Sequence, residues 1–215
     1  MYSFRNDYSE GAHPDILKRL LDMNQCQNVG YGEDALCEHA KQMLKEKLQC
    51  EDCDIHFLVG GTQANLTVIA AALRPYEAVI AVDSGHINVH ETGAVEATGH
   101  KVLIADSVDG KITPEGIRKA VHLHEDEHMV KPAMVYISNA TEIGTIYHKE
   151  ELTQIAAVCR EYGLYLFMDG ARMGAALAAE DNDVSFADLC TYCDVFYLGG
   201  TKNGAFFGEA VVIVN

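Results

Sequence analysis

The sequence predicts an α/β fold, a three-layer sandwich around a mostly parallel sheet, and three observations lead there. Short apolar runs rich in Val, Ile, Leu and aromatic residues recur along the chain, and such runs read as strands buried on both faces. Amphipathic or small-residue helical stretches separate most of them, an alternation that lays helices over a parallel sheet. No internal repeat, low-complexity tract or Pro/Gly/Ser linker divides the 215 residues, a length suited to one sizeable core.

Two helices come first. Residues 15–23 carry Ile16, Leu17, Leu20 and Leu21 on one face, and residues 34–48 carry Leu36, Ala40, Met43 and Leu44 at helical spacing. They form an N-terminal helical segment within residues 1–50. Strands are predicted at 55–59, 78–82, 101–105, 133–138, 165–169, 195–199 and 210–214. Thr113–Pro114 starts a further helix, with Thr as N-cap and Pro in the first helical position. Residues 150–162 make another, closed by Gly163. The chain stops just after a strand, which suggests a longer parent protein.

Composition narrows the function. The net charge is −16, from 32 acidic and 16 basic residues. Such a surface repels phosphate backbones and anionic bilayers, which argues against nucleic acid or membrane as partner. No apolar run is long enough to span a bilayer, and the start lacks a signal-peptide pattern, so the expected location is cytoplasmic. Seven scattered cysteines fit reduced thiols better than a disulfide framework. The pairs Cys50/Cys53 and Cys190/Cys193 have zinc-like spacing, yet Cys190 and Cys193 sit among apolar residues; the expectation is thiols and no metal.

In a parallel α/β sheet ligands bind where strand ends meet loops and helix starts, and four stretches there carry chemistry. Gly60-Gly61-Thr62-Gln63-Ala64-Asn65 follows a strand and opens a helix, whose unpaired N–H groups suit a phosphate. It matches neither a Walker loop nor the dinucleotide fingerprint, and the plain alternative is a turn with Thr62 as N-cap. Asp169-Gly170-Ala171-Arg172 ends a buried strand with a carboxylate that needs a partner, such as a pyridinium N–H, or else caps the next helix. Lys202, in Gly199-Gly200-Thr201-Lys202-Asn203-Gly204, can form a Schiff base if its neighbours lower its pKa; otherwise it is a solvated loop lysine. His86, in Ser84-Gly85-His86, suits stacking on a flat ring, although any one of ten histidines is more often structural.

Taken in order, with Phe4-Arg5-Asn6-Asp7 and Tyr31-Gly32-Glu33-Asp34 before them, these stretches resemble the threonine aldolase family. This is a β-eliminating lyase group of pyridoxal-phosphate (PLP) enzymes with the aspartate-aminotransferase fold. The resemblance runs along nearly the whole chain and implies a PLP-binding large domain over residues 1–215, without the small C-terminal domain that family members carry. It implies that Lys202 holds PLP through a Schiff base, Asp169 bonds the pyridinium nitrogen and His86 stacks on the ring. Gly61 and Thr62 would bind the phosphate, and Arg172 would lie near the ring. His128, upstream of Asn139 at the spacing the family gives a histidine near the substrate hydroxyl, is the candidate for positioning or deprotonating that hydroxyl. Asn6 and Tyr31 fall on the substrate side. The chain departs from the family at Ser138-Asn139-Ala140, where Glu-Asn-Thr is common, and at Thr201-Lys202-Asn203, where Ser-Lys-Gly is frequent.

The implied activity is cleavage of a β-hydroxy-α-amino acid, such as threonine or allo-threonine, to glycine and an aldehyde by a homodimer or homotetramer. The alternatives are a β-eliminating lyase of the same fold acting on tryptophan, tyrosine or cysteine derivatives, and a truncated PLP-binding or dimerisation fragment without activity.

Overall fold

The computed structural model of the chain describes residues 3–215. The expected strands are present as Asp54–Leu58 (β1), Glu77–Val82 (β2), Val102–Ala105 (β3), Lys131–Ser138 (β6), Tyr165–Asp169 (β7), Val195–Gly199 (β8) and Glu209–Ile213 (β9). Two further short strands, Ser107–Val108 (β4) and Lys111–Ile112 (β5), make a separate hairpin. The helices are Pro14–Met23 (α1), Ala35–Leu48 (α2), Gly61–Ala72 (α3), His86–Val89 (α4), Ala94–Ala97 (α5), Pro114–His122 (α6), Lys149–Tyr162 (α7), Met173–Leu177 (α8) and Phe186–Tyr192 (α9).

The sheet runs in the order β1-β9-β8-β7-β6-β2-β3. Strands β3, β2, β6, β7 and β8 are parallel, while β9 pairs antiparallel with both β8 and β1. Strand alternation divides the core between the two faces. Ile80, Val135, Leu166 and Phe196 pack with Ile117 of α6, Leu152 and Ile155 of α7 and Leu189 of α9 on one face. Their chain neighbours Val79, Met134, Phe167 and Tyr197 pack with Ala64, Val68 and Ile69 of α3 on the other. These are the three layers.

Local chemistry fixes the helix ends. The Thr113 hydroxyl accepts from Gly116 N–H at 3.0 Å ahead of Pro114, as the sequence suggests. His148 and Glu151 form a reciprocal capping box at the start of α7, and Gly163 closes that helix at φ 64°, a conformation that favours glycine. Helix α1 forms, but it buries none of its residues: Leu17, Leu20 and Leu21 remain 46%, 50% and 76% exposed. Its apolar stripe finds no partner among the described residues. The chain just ahead of it is tied down by His13 N–H donating to Gly204 C=O at 2.9 Å.

The loops after β7 and β8 are pressed backbone against backbone. Gly199 N–H donates to Gly170 C=O at 3.0 Å. A Cβ on Gly199 would lie 2.8 Å from Ala171 Cα, and one on Gly170 would overlap the main-chain carbonyl of Tyr197. This contact sets the spacing between the Asp169 and Lys202 loops. Gly170→Ala is therefore expected to destabilise the chain by more than about 3 kcal/mol, the upper end of ordinary overpacking; a denaturation midpoint matching wild type would show that the loops can separate without loss.

Candidate active site

A cavity of about 370 Å³ opens where β6, β7 and β8 end and α3 begins. Lys202, Asp169, His86, Gly61, Thr62 and Arg172 all line it. The structure thus brings together the phosphate-type loop, the strand-end aspartate, the histidine and the lysine that the sequence singled out separately.

Asp169 is the most constrained of these, at 5% exposure. Its Oδ2 accepts from the Tyr136 hydroxyl at 2.6 Å and from Asn65 Nδ2 at 3.0 Å, and its Oδ1 accepts from Ala171 N–H at 2.9 Å. Burial, reinforced by the Asp169 charge, keeps the Tyr136 and Tyr197 hydroxyls well above the usual phenol range, so both remain donors. Asn65 also donates to Glu91 Oε1 at 2.7 Å, and the same oxygen meets His86 Nδ1 at 2.7 Å. The Glu91 hydrogen bond raises the His86 pKa above its ordinary value against the effect of burial.

Lys202 follows β8 in a tight turn. Burial, then the Arg172 charge, lowers its pKa, while Asp7, Asp169 and Glu209 act in the opposite sense. Its Nζ sits 5.8 Å from the centre of the Tyr8 ring, within cation–π range. Arg172 holds Asp7 in a two-point pair, Nε to Oδ2 at 2.6 Å and Nη2 to Oδ1 at 3.1 Å. Burial pushes the Asp7 carboxyl up, but Arg172 and Lys202 outweigh it and hold it below the usual carboxylate range. Helix α3 starts at Gly61 with no side-chain cap, which leaves its first N–H groups facing the cavity and open to an anion. Thr62 does not cap this helix; Gly60 occupies the cap position.

Three expected substrate-side residues are not brought to this cavity. His128 precedes β6, whose far end at Ser138 reaches the cavity, so the strand's length of roughly 25 Å separates them within one chain. Its side chain is 87% exposed and meets Asp126 Oδ1 at 3.1 Å. The sequence spacing to Asn139 therefore measures the length of a strand rather than a proximity. Asn6 caps a local turn, accepting from Tyr8 N–H at 3.1 Å and Ser9 Oγ at 2.6 Å, and its neighbour Tyr8 lines the cavity instead. Tyr31 is fully exposed in the loop between α1 and α2.

Other cavity residues carry no motif. Tyr197, which lines the cavity, and Tyr136, which meets the site through Asp169, look like strand core and differ from it only in their hydroxyl tips. Glu142 accepts at Oε1 from His86 N–H at 2.9 Å and Ser138 Oγ at 2.6 Å, and its buried Oε2 has no hydrogen-bond partner among the described residues. Its sole signal is its position a few residues past the end of β6. Away from the cavity, burial and the neighbouring Cys50 thiol raise Cys190 to about 12; among the described residues no group of three or more His, Cys, Asp or Glu side chains is arranged to hold a metal. No described helix is long and apolar enough to cross a membrane.

Comparison with known proteins agrees with this geometry. A low specificity L-threonine aldolase of Pseudomonas aeruginosa is 35% identical over 214 residues, covering 99% of this chain and 62% of the relative. A threonine aldolase structure from Leishmania major superposes with a TM-score of 0.98 at 52% identity, covering 100% of this chain and 63% of that one. An aspartate aminotransferase variant of Thermus thermophilus, at 19% identity and a TM-score of 0.70 over 94% of this chain and 56% of its own, shares the fold. The chain thus spans somewhat under two thirds of the length of the first two relatives. The sequence pattern of the beta-eliminating lyases matches residues 4–215, and the chain belongs to that family.

Proposed function

We propose that the chain is the cofactor-binding part of a PLP-dependent lyase that cleaves a β-hydroxy-α-amino acid, such as threonine or allo-threonine, to glycine and an aldehyde. The observation that carries the reading is the meeting of a pKa-lowered lysine and a buried, hydrogen-bonded aspartate in one cavity with an uncapped helix start. The names of the relatives, threonine aldolases in Pseudomonas and Leishmania, support the substrate class.

The residues present fit PLP. A lysine amine with lowered pKa suits covalent attachment to an aldehyde. A Cβ at Gly61 would come within 2.9 Å of the Tyr197 hydroxyl, so glycine lets the start of α3 sit close against β8. Lys202 would hold the cofactor through its amine, Asp169 its ring nitrogen, His86 its ring face and Gly61 with Thr62 its phosphate; Arg172 would stand near the ring. Bound there, PLP supplies an electron sink conjugated to the substrate α-carbon.

The chain's own residues do the rest. Asp169, steered by Tyr136 and Asn65, would keep a proton on the ring nitrogen. His86, fixed at Nδ1 by Glu91, would hold the ring in one orientation, the reference against which the bond that breaks is positioned. Glu142, tied to the His86 main chain and with one oxygen unpartnered, is the base at hand for the substrate hydroxyl. The exposed apolar face of α1 supports pairing with a second copy into at least a dimer. Free cysteines support a cytoplasmic location.

With added PLP the wild-type chain is expected to give a visible band that borohydride traps, and Lys202→Ala to give none; a trapped band of equal size in both would remove Lys202 from the role. Glu142→Gln should keep the band while glycine release from threonine falls by about 100-fold or more; unchanged turnover would exclude Glu142 as the base. Glu91→Gln should bring the His86 pKa back toward its ordinary value, read from ring-proton chemical shifts. The sign for stability follows: a raised folded pKa contributes fully below the unfolded value and is lost as pH rises through the folded one. Wild type therefore gains over Glu91→Gln in acid and converges with it at higher pH.

A further inference from the structure

Glu209 begins β9, in register with Gly199 of β8 on one side and Leu58 of β1 on the other. It stands between the loop that carries Lys202 and the chain that leads into α3. Gly200 N–H donates to Gly208 C=O at 2.8 Å and Gly208 N–H to Val59 C=O at 3.2 Å, which holds the three segments together. The Glu209 side chain lines the cavity and is 4% exposed. Its Oε1 accepts from the Thr201 hydroxyl at 3.0 Å, whereas its buried Oε2 has no hydrogen-bond partner among the described residues.

An ionised carboxylate with a bare buried oxygen is costly, and the group answers by keeping its proton. Burial, with the Asp169 charge, pushes the Glu209 carboxyl up to about 7, against the Thr201 hydrogen bond, the nearby Gly200 main chain and the charge of Lys202. Near neutral pH the Glu209 carboxyl can therefore present a hydroxyl donor, at a place where the other groups at that end, Gly60, Gly61, Thr62 and Thr201, are uncharged.

We propose that Glu209 is a further cofactor-binding residue which, as a carboxylic acid, donates a hydrogen bond to the phosphate of bound PLP, so that binding takes up a proton. The inference rests on the PLP reading above and adds the phosphate end to it. A phosphate dianion beside an ionised carboxylate is repelled, whereas an O–H donor to an anionic oxygen makes a short, strong bond. The titratable groups that act on Glu209 are Lys202 from its own loop region, Asp169 from β7 and Tyr197 from β8. The segment from β1 into α3 lines the cavity with Val59, Gly60, Gly61 and Thr62, none of which titrates. Added negative charge raises the carboxyl pKa further, so binding of the phosphorylated compound takes up a proton and weakens as pH rises above about 7. Pyridoxal, which lacks the phosphate, escapes this linkage.

The test compares PLP with pyridoxal on wild type and Glu209→Gln, from about pH 7 to 8.5, where the phosphate monoester is a dianion. Affinity is read from visible absorbance, and proton uptake from the binding enthalpy in buffers of different ionisation enthalpy. In wild type the ratio of PLP to pyridoxal affinity is expected to fall by up to about ten-fold per pH unit, with proton uptake for PLP exceeding that for pyridoxal by up to about one. In Glu209→Gln the ratio is expected to be flat and the excess uptake absent, and pyridoxal binding reports that the cavity has formed. Wild type that takes up no more protons with PLP than with pyridoxal overturns the proposal without recourse to any variant, as does a variant that keeps the wild-type slope. No adduct with either compound removes the PLP reading and this one together; an adduct without excess uptake removes this one alone.

Discussion

The Asp169 carboxylate is buried at the end of a central strand, and a bare charge there would cost several kcal/mol. Its hydrogen bonds must therefore come from whatever surrounds it, and they come from separate parts of the fold. Asn65 arrives on the first turns of α3, Tyr136 on the adjacent strand β6 and Ala171 N–H on the following loop. Asn65 then reaches on to Glu91, which orients His86. One amide side chain thus couples the Asp169 carboxylate to the His86 ring by way of Glu91. The apolar layers matter to the site mainly because they hold these elements in register.

Much of this was legible in the sequence, and the exceptions have physical causes. The strands were readable because each is a short apolar run, and the residues at their carboxyl ends, Asp169 and the Lys202 loop, followed from the rule that ligands bind there. Periodicity says nothing about neighbours, so the antiparallel insertion of β9 between β8 and β1 was not readable, and neither was Glu209's place beside the helix start. Tyr136 and Tyr197 were hidden by their apolar bodies, since a tyrosine in a strand counts as core until its hydroxyl is seen to find a carboxylate. His128 lies away from the cavity of its own chain because a fixed sequence spacing across an extended strand becomes a long distance. The stripe on α1 was read correctly as amphipathic, but none of its residues is buried by the rest of the described chain.

Charge within the site is more evenly mixed than over the whole. The chain carries a net charge of −16, whereas the cavity sets Lys202, Arg172 and His86 against Asp169, Glu142 and Glu209, close to an uncapped helix start. Arg172 is committed to Asp7 by two hydrogen bonds, which spends its charge locally and leaves the helix end and Lys202 as the features that attract an anion. A negative ligand therefore meets an unfavourable long-range field and a favourable short-range one, an arrangement whose net effect depends on ionic strength.

The position of β9 also bears on how the chain is made. Strand β1 has β9 as its one neighbour among the described strands, and β9 is the last strand of the sheet to be synthesised. At a translation rate of roughly 5–20 residues per second, β1 and the glycine turn behind it wait on the order of ten seconds for that partner. During this interval β1 presents an open edge of main-chain donors and acceptors, while β2, β3, β6 and β7 emerge in time to pair among themselves. The glycine turn behind β1 is thus among the first parts of the site to leave the ribosome and among the last to become fixed, and the nascent chain depends on that edge remaining unpaired until β9 arrives.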